Sequence, residues 1–135
     1  IVMTIETASI LVVDDDPVTL TAVGHTLTRL GIHDVHFAAN GAEALKLLTS
    51  FTPTVILTDI HMKHLGGFEF VKILRSIPKA TVQDLPVIFM SADTTRSTFE
   101  KAKELGSDGY IIKPPRMEVL KAKIEHAMAH GETKA

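Results

Sequence analysis

Five times along this chain a short strand-like run, chiefly apolar in four cases and alternating in the other, hands over to a longer stretch in which apolar residues recur every three or four positions. The runs fall at 10–13, 33–38, 55–59, 86–90 and 110–112. Continuous apolar runs of this length read as strands buried on both faces, and the longer stretches as amphipathic helices. The first predicted helix, 17–30, turns Leu20, Val23, Leu27 and Leu30 inward; the second, opened by Asn40 and Gly41 and ending before Pro53, turns in Ala42, Leu45 and Leu48. The third, 68–76, carries Phe70, Ile73 and Leu74 with Ile77 just beyond, and the fourth, 94–105, carries Phe99, Ala102 and Leu105. The fifth, 116–130, buries Met117, Leu120, Ile124 and Ala127. Gly31 and Gly106 stop the first and fourth helices, while Pro114 and Pro115 block any extension of the last strand.

Alternation of strand and helix calls for a parallel sheet covered on both faces, because each crossover helix folds back over the sheet with a right-handed connection. The prediction is an α/β, flavodoxin-like three-layer (βα)5 sandwich with a parallel five-stranded sheet in the order 2-1-3-4-5. The run at 33–38 alternates in polarity and belongs nearer an edge. A single domain over 8–130 is expected, with 1–7 a loose lead-in and 131–135 a tail. A hydrophobic fraction of 45% is enough to fill its core.

In such a sheet the functional groups lie just past the carboxyl ends of the strands. The first strand runs into Asp14, Asp15 and Asp16, the third ends at Asp59, the fourth at Ser91 and the fifth at Lys113. Asp16 followed by Pro17 has the pattern of an N-cap and first helical residue, leaving Asp14 and Asp15 for chemistry or solvent. Converging carboxylates make a hard oxygen site, and Mg2+ is the hard cation that tolerates water among its ligands. A carboxylate can also act as a nucleophile toward phosphorus. Phosphoryl transfer is then a matter of positioning, with a metal, a lysine ammonium and a hydroxyl around the acceptor.

Bulk properties exclude several alternatives. Acidic and basic residues are mixed with a net charge of −2, which argues against a nucleic-acid face or an anionic-membrane patch. No run is long enough to span a membrane and no signal peptide is evident. Absence of cysteine removes disulfides, thiolate metal sites and thiol catalysis, and accords with the expected cytoplasmic location.

Asp14-Asp15 after Ile10-Leu11-Val12-Val13, Asp59 after the third strand, Ser91-Ala92, and Gly109-Tyr110-Ile111-Ile112-Lys113-Pro114 together resemble the receiver domain of two-component response regulators. The resemblance covers roughly residues 8–130 in the family's order. It implies that Asp59 accepts a phosphoryl group from a phosphohistidine on a sensor histidine kinase or histidine phosphotransfer protein. Asp14, Asp15, Asp59 and the backbone carbonyl of His61 would hold Mg2+. Ser91 and Lys113 would bind the phosphoryl oxygens, and Tyr110 would be an aromatic switch that turns inward when Ser91 moves. His61 and Asp93 stand where the family tunes hydrolysis. The output would be altered binding of a downstream effector protein or domain on the face of the fourth helix, fifth strand and fifth helix. The resemblance also implies a cis peptide between Lys113 and Pro114, a bond type in which cis occurs. Met62, Gly67 and Glu69 match the familiar loop pattern; Lys63, Gly66 and Pro115 depart from the proline, aspartate and large apolar residue common at those places.

Plainer readings stand beside these. Tyr110 alone would be a half-buried strand aromatic and Lys113 a solvated strand-end charge. His126 with His130, and His61 with His64, lack a third ligand and read as solvated surface rather than zinc sites. Lys101 and Lys103 near Glu100 and Glu104 read as helix-surface charge pairing. The enzyme alternative is a haloacid-dehalogenase-type phosphatase, whose signature Asp14 to Val18 resembles, with Asp14 as nucleophile and Asp16 as acid/base. That reading leaves Asp59 without a role and supplies no acidic pair after Lys113. A flavodoxin-type carrier would need a hydroxyl- or glycine-rich loop where three carboxylates stand.

Overall fold

A computed structural model describes residues 4–134. Five parallel strands, β1 (Ser9–Val13), β2 (Asp34–Ala38), β3 (Val55–Asp59), β4 (Val87–Ser91) and β5 (Gly109–Ile112), form one sheet in the order β2-β1-β3-β4-β5, as the sequence predicts. The helices are α1 (Pro17–Arg29), α2 (Gly41–Leu47), α3 (Gly67–Ser76), α4 (Ala80–Gln83), α5 (Arg96–Glu104) and α6 (Met117–Lys134). Successive side chains of a strand leave opposite faces of the sheet, so each central strand feeds two cores. Ile10, Val12, Val55 and Leu57 pack under Val23, Leu27, Leu120 and Ile124, whereas Leu11, Val13, Ile56 and Phe89 pack under Ala44, Phe70, Leu74 and Ala102. Residues of β3 and β4 are buried throughout; β2, at the edge, is exposed at Asp34 and at Phe37.

Helix phase departs from the expectation in three places. Ala42 is exposed and Ala44 buried. The inward row of α2 starts on Gly41, which a count of apolar side chains passes over; a Cβ there would come within 2.8 Å of the Cβ of Phe70. Ile73 is 41% exposed because Phe70, Val71 and Leu74 already define the inner face of α3. Phe99 is 49% exposed, and the sole buried side chain of α5 is Ala102.

The elements also differ at their margins. The one-turn α4 lies between the predicted third helix and fourth strand, a stretch to which the sequence analysis assigns no element, and its Val82 is buried. Residues 5–7, expected to be loose, form a 3-10 turn that buries Ile5. α6 continues past 130 into the expected tail; residues 1–3 and 135 lie outside the described residues. The Lys113–Pro114 peptide is cis. Among the described residues no helix is long and apolar enough to cross a membrane.

Candidate functional site

Parallel pairing in register sets the carboxyl ends of β1, β3, β4 and β5 side by side. Val13 lies opposite Thr58, Asp59 opposite Met90, and Ser91 opposite Ile112. The first residue after β1 is Asp14, whose N–H donates to Ala38 at 3.0 Å and whose side chain is fully buried. Asp14 Oδ1 accepts the N–H of Asp16 at 2.9 Å. Asp16 itself caps α1, accepting from the Val18 N–H at 3.0 Å and from the Thr19 hydroxyl at 2.9 Å. Its carboxylate is committed to the helix end, as the Asp-Pro pattern predicts.

Asp59 is 7% exposed, and its Oδ1 accepts the following N–H, of Ile60, at 2.7 Å. Behind it the chain doubles back so closely that a Cβ on Gly67 would fall 2.1 Å from the Asp59 carbonyl oxygen. The Gly67 N–H donates to Ile60 at 2.8 Å, closing that turn. Only glycine fits there.

Lys113 reaches across from the end of β5. Its Nζ lies 2.5 Å from Asp14 Oδ2 and 3.0 Å from Asp59 Oδ2. Ligand oxygens of Asp14, Asp15 and Asp59 all lie within 4.8 Å of one another. Burial raises the pKa of Asp14, an effect the hydrogen bond from Lys113 only partly offsets. Burial alone would depress Lys113, but the hydrogen bonds to Asp14 and Asp59 outweigh it and raise its pKa. Three carboxylates around one ammonium leave the cluster short of positive charge. An all-oxygen donor set with that deficit fits a hard divalent cation, which would supply the missing charge.

Ser91 is 1% exposed, and its Oγ accepts the N–H of Asp93 at 3.1 Å. Asp93 is a junction that the sequence placed near the site without revealing its contacts. Its carboxylate accepts the Thr95 N–H at 2.8 Å, the Thr95 hydroxyl at 2.7 Å and the Thr98 hydroxyl at 2.9 Å. His61 Nε2 lies 3.0 Å from it. These hydrogen bonds, the Thr95 N–H first, hold the Asp93 carboxyl well below the usual carboxylate range. The Asp93 carbonyl accepts the Tyr110 hydroxyl at 2.7 Å, so Asp93 joins Ser91, Tyr110, His61 and the start of α5. Burial raises the pKa of the Tyr110 hydroxyl. The Asp-x-Thr pattern ahead of a helix was the available signal for this junction.

Outside the rim the His126 and His130 rings stack 6.2 Å apart without a third ligand close enough to share an ion among the described residues. Among the described residues, Asp14, Asp15 and Asp59 are the sole group of three or more acidic or histidine side chains close enough to share an ion. His130 instead lies with Nδ1 2.6 Å from Asp108 Oδ1. Expected charge pairing on α5 takes another form: Glu100 pairs with Arg96 at 2.9 Å, while Lys101 lies 5.3 Å from the Phe68 ring centre and Lys103 6.0 Å from that of Phe99.

Comparison with known proteins agrees with this geometry. The family model described as "Response regulator receiver domain" matches residues 10–125. A chemotaxis protein CheY homolog of Campylobacter jejuni is 37% identical over 123 residues, covering 90% of this chain and 93% of its own. Chemotaxis protein CheY1 of Helicobacter pylori is 34% identical over 117 residues, covering 86% and 93%. Among solved structures, the chemotaxis protein CheY4 of Vibrio cholerae superposes with a TM-score of 0.81 at 31% identity, over 89% of this chain and 98% of its own. The phosphatase alternative is not favoured, its acid/base candidate Asp16 being a helix cap and its family not the one matched. From its sheet order, its rim and these relatives, the chain belongs to the response regulator receiver domains of two-component systems.

Proposed function

We propose that this domain takes a phosphoryl group from a phosphohistidine of a sensor histidine kinase or phosphotransfer protein onto Asp59. An Asp59 carboxylate oxygen forms the new bond to phosphorus as the phosphorus–nitrogen bond to the donor imidazole breaks, and the imidazole leaves with the bond's electron pair. Asp14, Asp15, Asp59 and the backbone carbonyl of His61 would hold Mg2+, which when bound offsets charge on the phosphoryl oxygens. The Ile60 N–H restrains the Asp59 carboxylate, and Lys113, already beside Asp59 Oδ2, presents its ammonium to the incoming phosphoryl group. The Ser91 hydroxyl binds a second phosphoryl oxygen. In doing so it gives up the Asp93 N–H, and through the Asp93 carbonyl the change passes to Tyr110 and to the face of α5, β5 and α6. A downstream effector protein or domain then binds that face differently. His61 and Asp93, whose side chains meet at 3.0 Å, would be the residues that tune hydrolysis.

The observation that carries this reading is the single ammonium of Lys113 bridging two buried carboxylates at the ends of different strands. Incubation with a small phosphodonor and Mg2+, followed by mass mapping of the label, tests it. Label is expected on Asp59 and absent from Asp59→Asn; unchanged uptake by that variant overturns the assignment.

A further inference from the structure

The three carboxylates are not held alike. Asp14 is fixed by the Asp16 N–H and Lys113, and Asp59 by the Ile60 N–H and Lys113. Asp15 is exposed, and the one hydrogen bond found on its carboxylate among the described residues comes from the main chain of the loop after β3. The Lys63 N–H donates to Asp15 Oδ2 at 3.3 Å across 48 residues of sequence. That loop is braced on both sides of the contact: Gly41 donates to the Leu65 carbonyl at 3.0 Å and Gly67 to the Ile60 carbonyl at 2.8 Å. His64 and Leu65 are held at φ of 58° and 97°, a region non-glycine residues seldom occupy. The amide therefore projects from a fixed frame.

We propose that the Lys63 main-chain amide is a positioning group for the metal ligand Asp15. It biases an exposed carboxylate toward the rotamer that faces Asp14 and Asp59, removing part of the ordering cost from cation binding. It also couples occupancy of the site to the conformation of residues 61–66. The inference rests on the reading of the cluster as a Mg2+ site. Outer-shell hydrogen bonds to metal ligands act in this way elsewhere, and a hydrogen bond to a charged acceptor is stronger than a neutral one. The contact requires an N–H at position 63, which proline lacks. This is the position where the chain departs from the family's common proline.

Titration calorimetry with Mg2+ on the full chain tests the inference without reference to phosphorylation. Lys63→Ala keeps the N–H and is the reference; its counterpart with an ester oxygen in place of that N–H, introduced as the α-hydroxy acid at 63, removes the donor while keeping the side chain, with the Met62 carbonyl becoming a weaker acceptor. The ester is expected to bind Mg2+ about three- to ten-fold more weakly than Lys63→Ala, and Lys63→Pro to shift in the same direction. In the wild type, Mg2+ is expected to slow hydrogen exchange of the Lys63 amide. Equal affinity of the ester and Lys63→Ala overturns the inference while leaving the metal site standing. A wild type that takes up no Mg2+ overturns the reading of the site itself.

Discussion

Asp14 and Asp59 share one ammonium, and that arithmetic governs how this end of the sheet responds to substitution and to pH. The raised pKa of Asp14 means that its contribution to stability is present below its unfolded value of 3.8 and lost as pH rises through the higher folded value. At neutral pH the buried, ionised carboxylate opposes folding of the metal-free protein. Asp14→Asn is therefore expected to be more stable than wild type at neutral pH without Mg2+, by about 1–2 kcal/mol. Denaturant midpoints followed toward acid should show this advantage shrink as Asp14 takes up a proton; a gap that widens instead would contradict the sign. Gly67 is the opposite kind of position, where the side chain must be absent. Gly67→Ala drives a methyl into the Asp59 carbonyl, at a Cβ distance of 2.1 Å, and is expected to abolish phosphoryl uptake even where circular dichroism shows a folded domain.

α5 is the element whose attachment differs most from its neighbours. It buries Ala102 alone and is secured at its two ends by polar contacts. At the start, Asp93 accepts from Thr95 and Thr98. At the finish, the Arg75 guanidinium donates to the carbonyls of Leu105 and Gly106 while also binding those of Gln83 at 2.9 Å and Leu85 at 2.7 Å. Hydrogen exchange should separate the two anchors: Asp93→Ala is expected to speed exchange at the first turn of α5, and Arg75→Met at its last. Arg75→Met should also cost about 2–3 kcal/mol, because partly buried carbonyls lose a charged donor. This arrangement was poorly legible in the sequence. Phe99 and Leu105 fit a 3.6-residue period, but periodicity reports which residues share a face and not whether another element covers it. Arg75 was invisible for a related reason, since its partners are main-chain carbonyls that carry no residue identity. The loop amide of Lys63 escaped notice likewise.

On the scale of the whole domain, the sheet order and the convergence of Asp14, Asp15, Asp59 and Lys113 were readable because both follow from strand order. Buried parallel strands are largely apolar, so a carboxylate, hydroxyl or ammonium at or just past the carboxyl end of each marks the rim, with buried Thr58 one residue before it in β3. Binding of a cation by the native rim and not by the unfolded chain should raise the melting temperature, by the equivalent of about 2.7 kcal/mol at a hundredfold excess over Kd. A melt in Mg2+ against one in chelator checks this, and coincident curves would count against the cation. The light attachment of α5 reaches further. A helix that lends the sheet one alanine leaves its outward residues little constrained by the core, so if a partner docks there as proposed, docking preference can change with little penalty to folding. Insulation of one signalling pair from another could then be written on this helix while the chemistry at the rim stays the same.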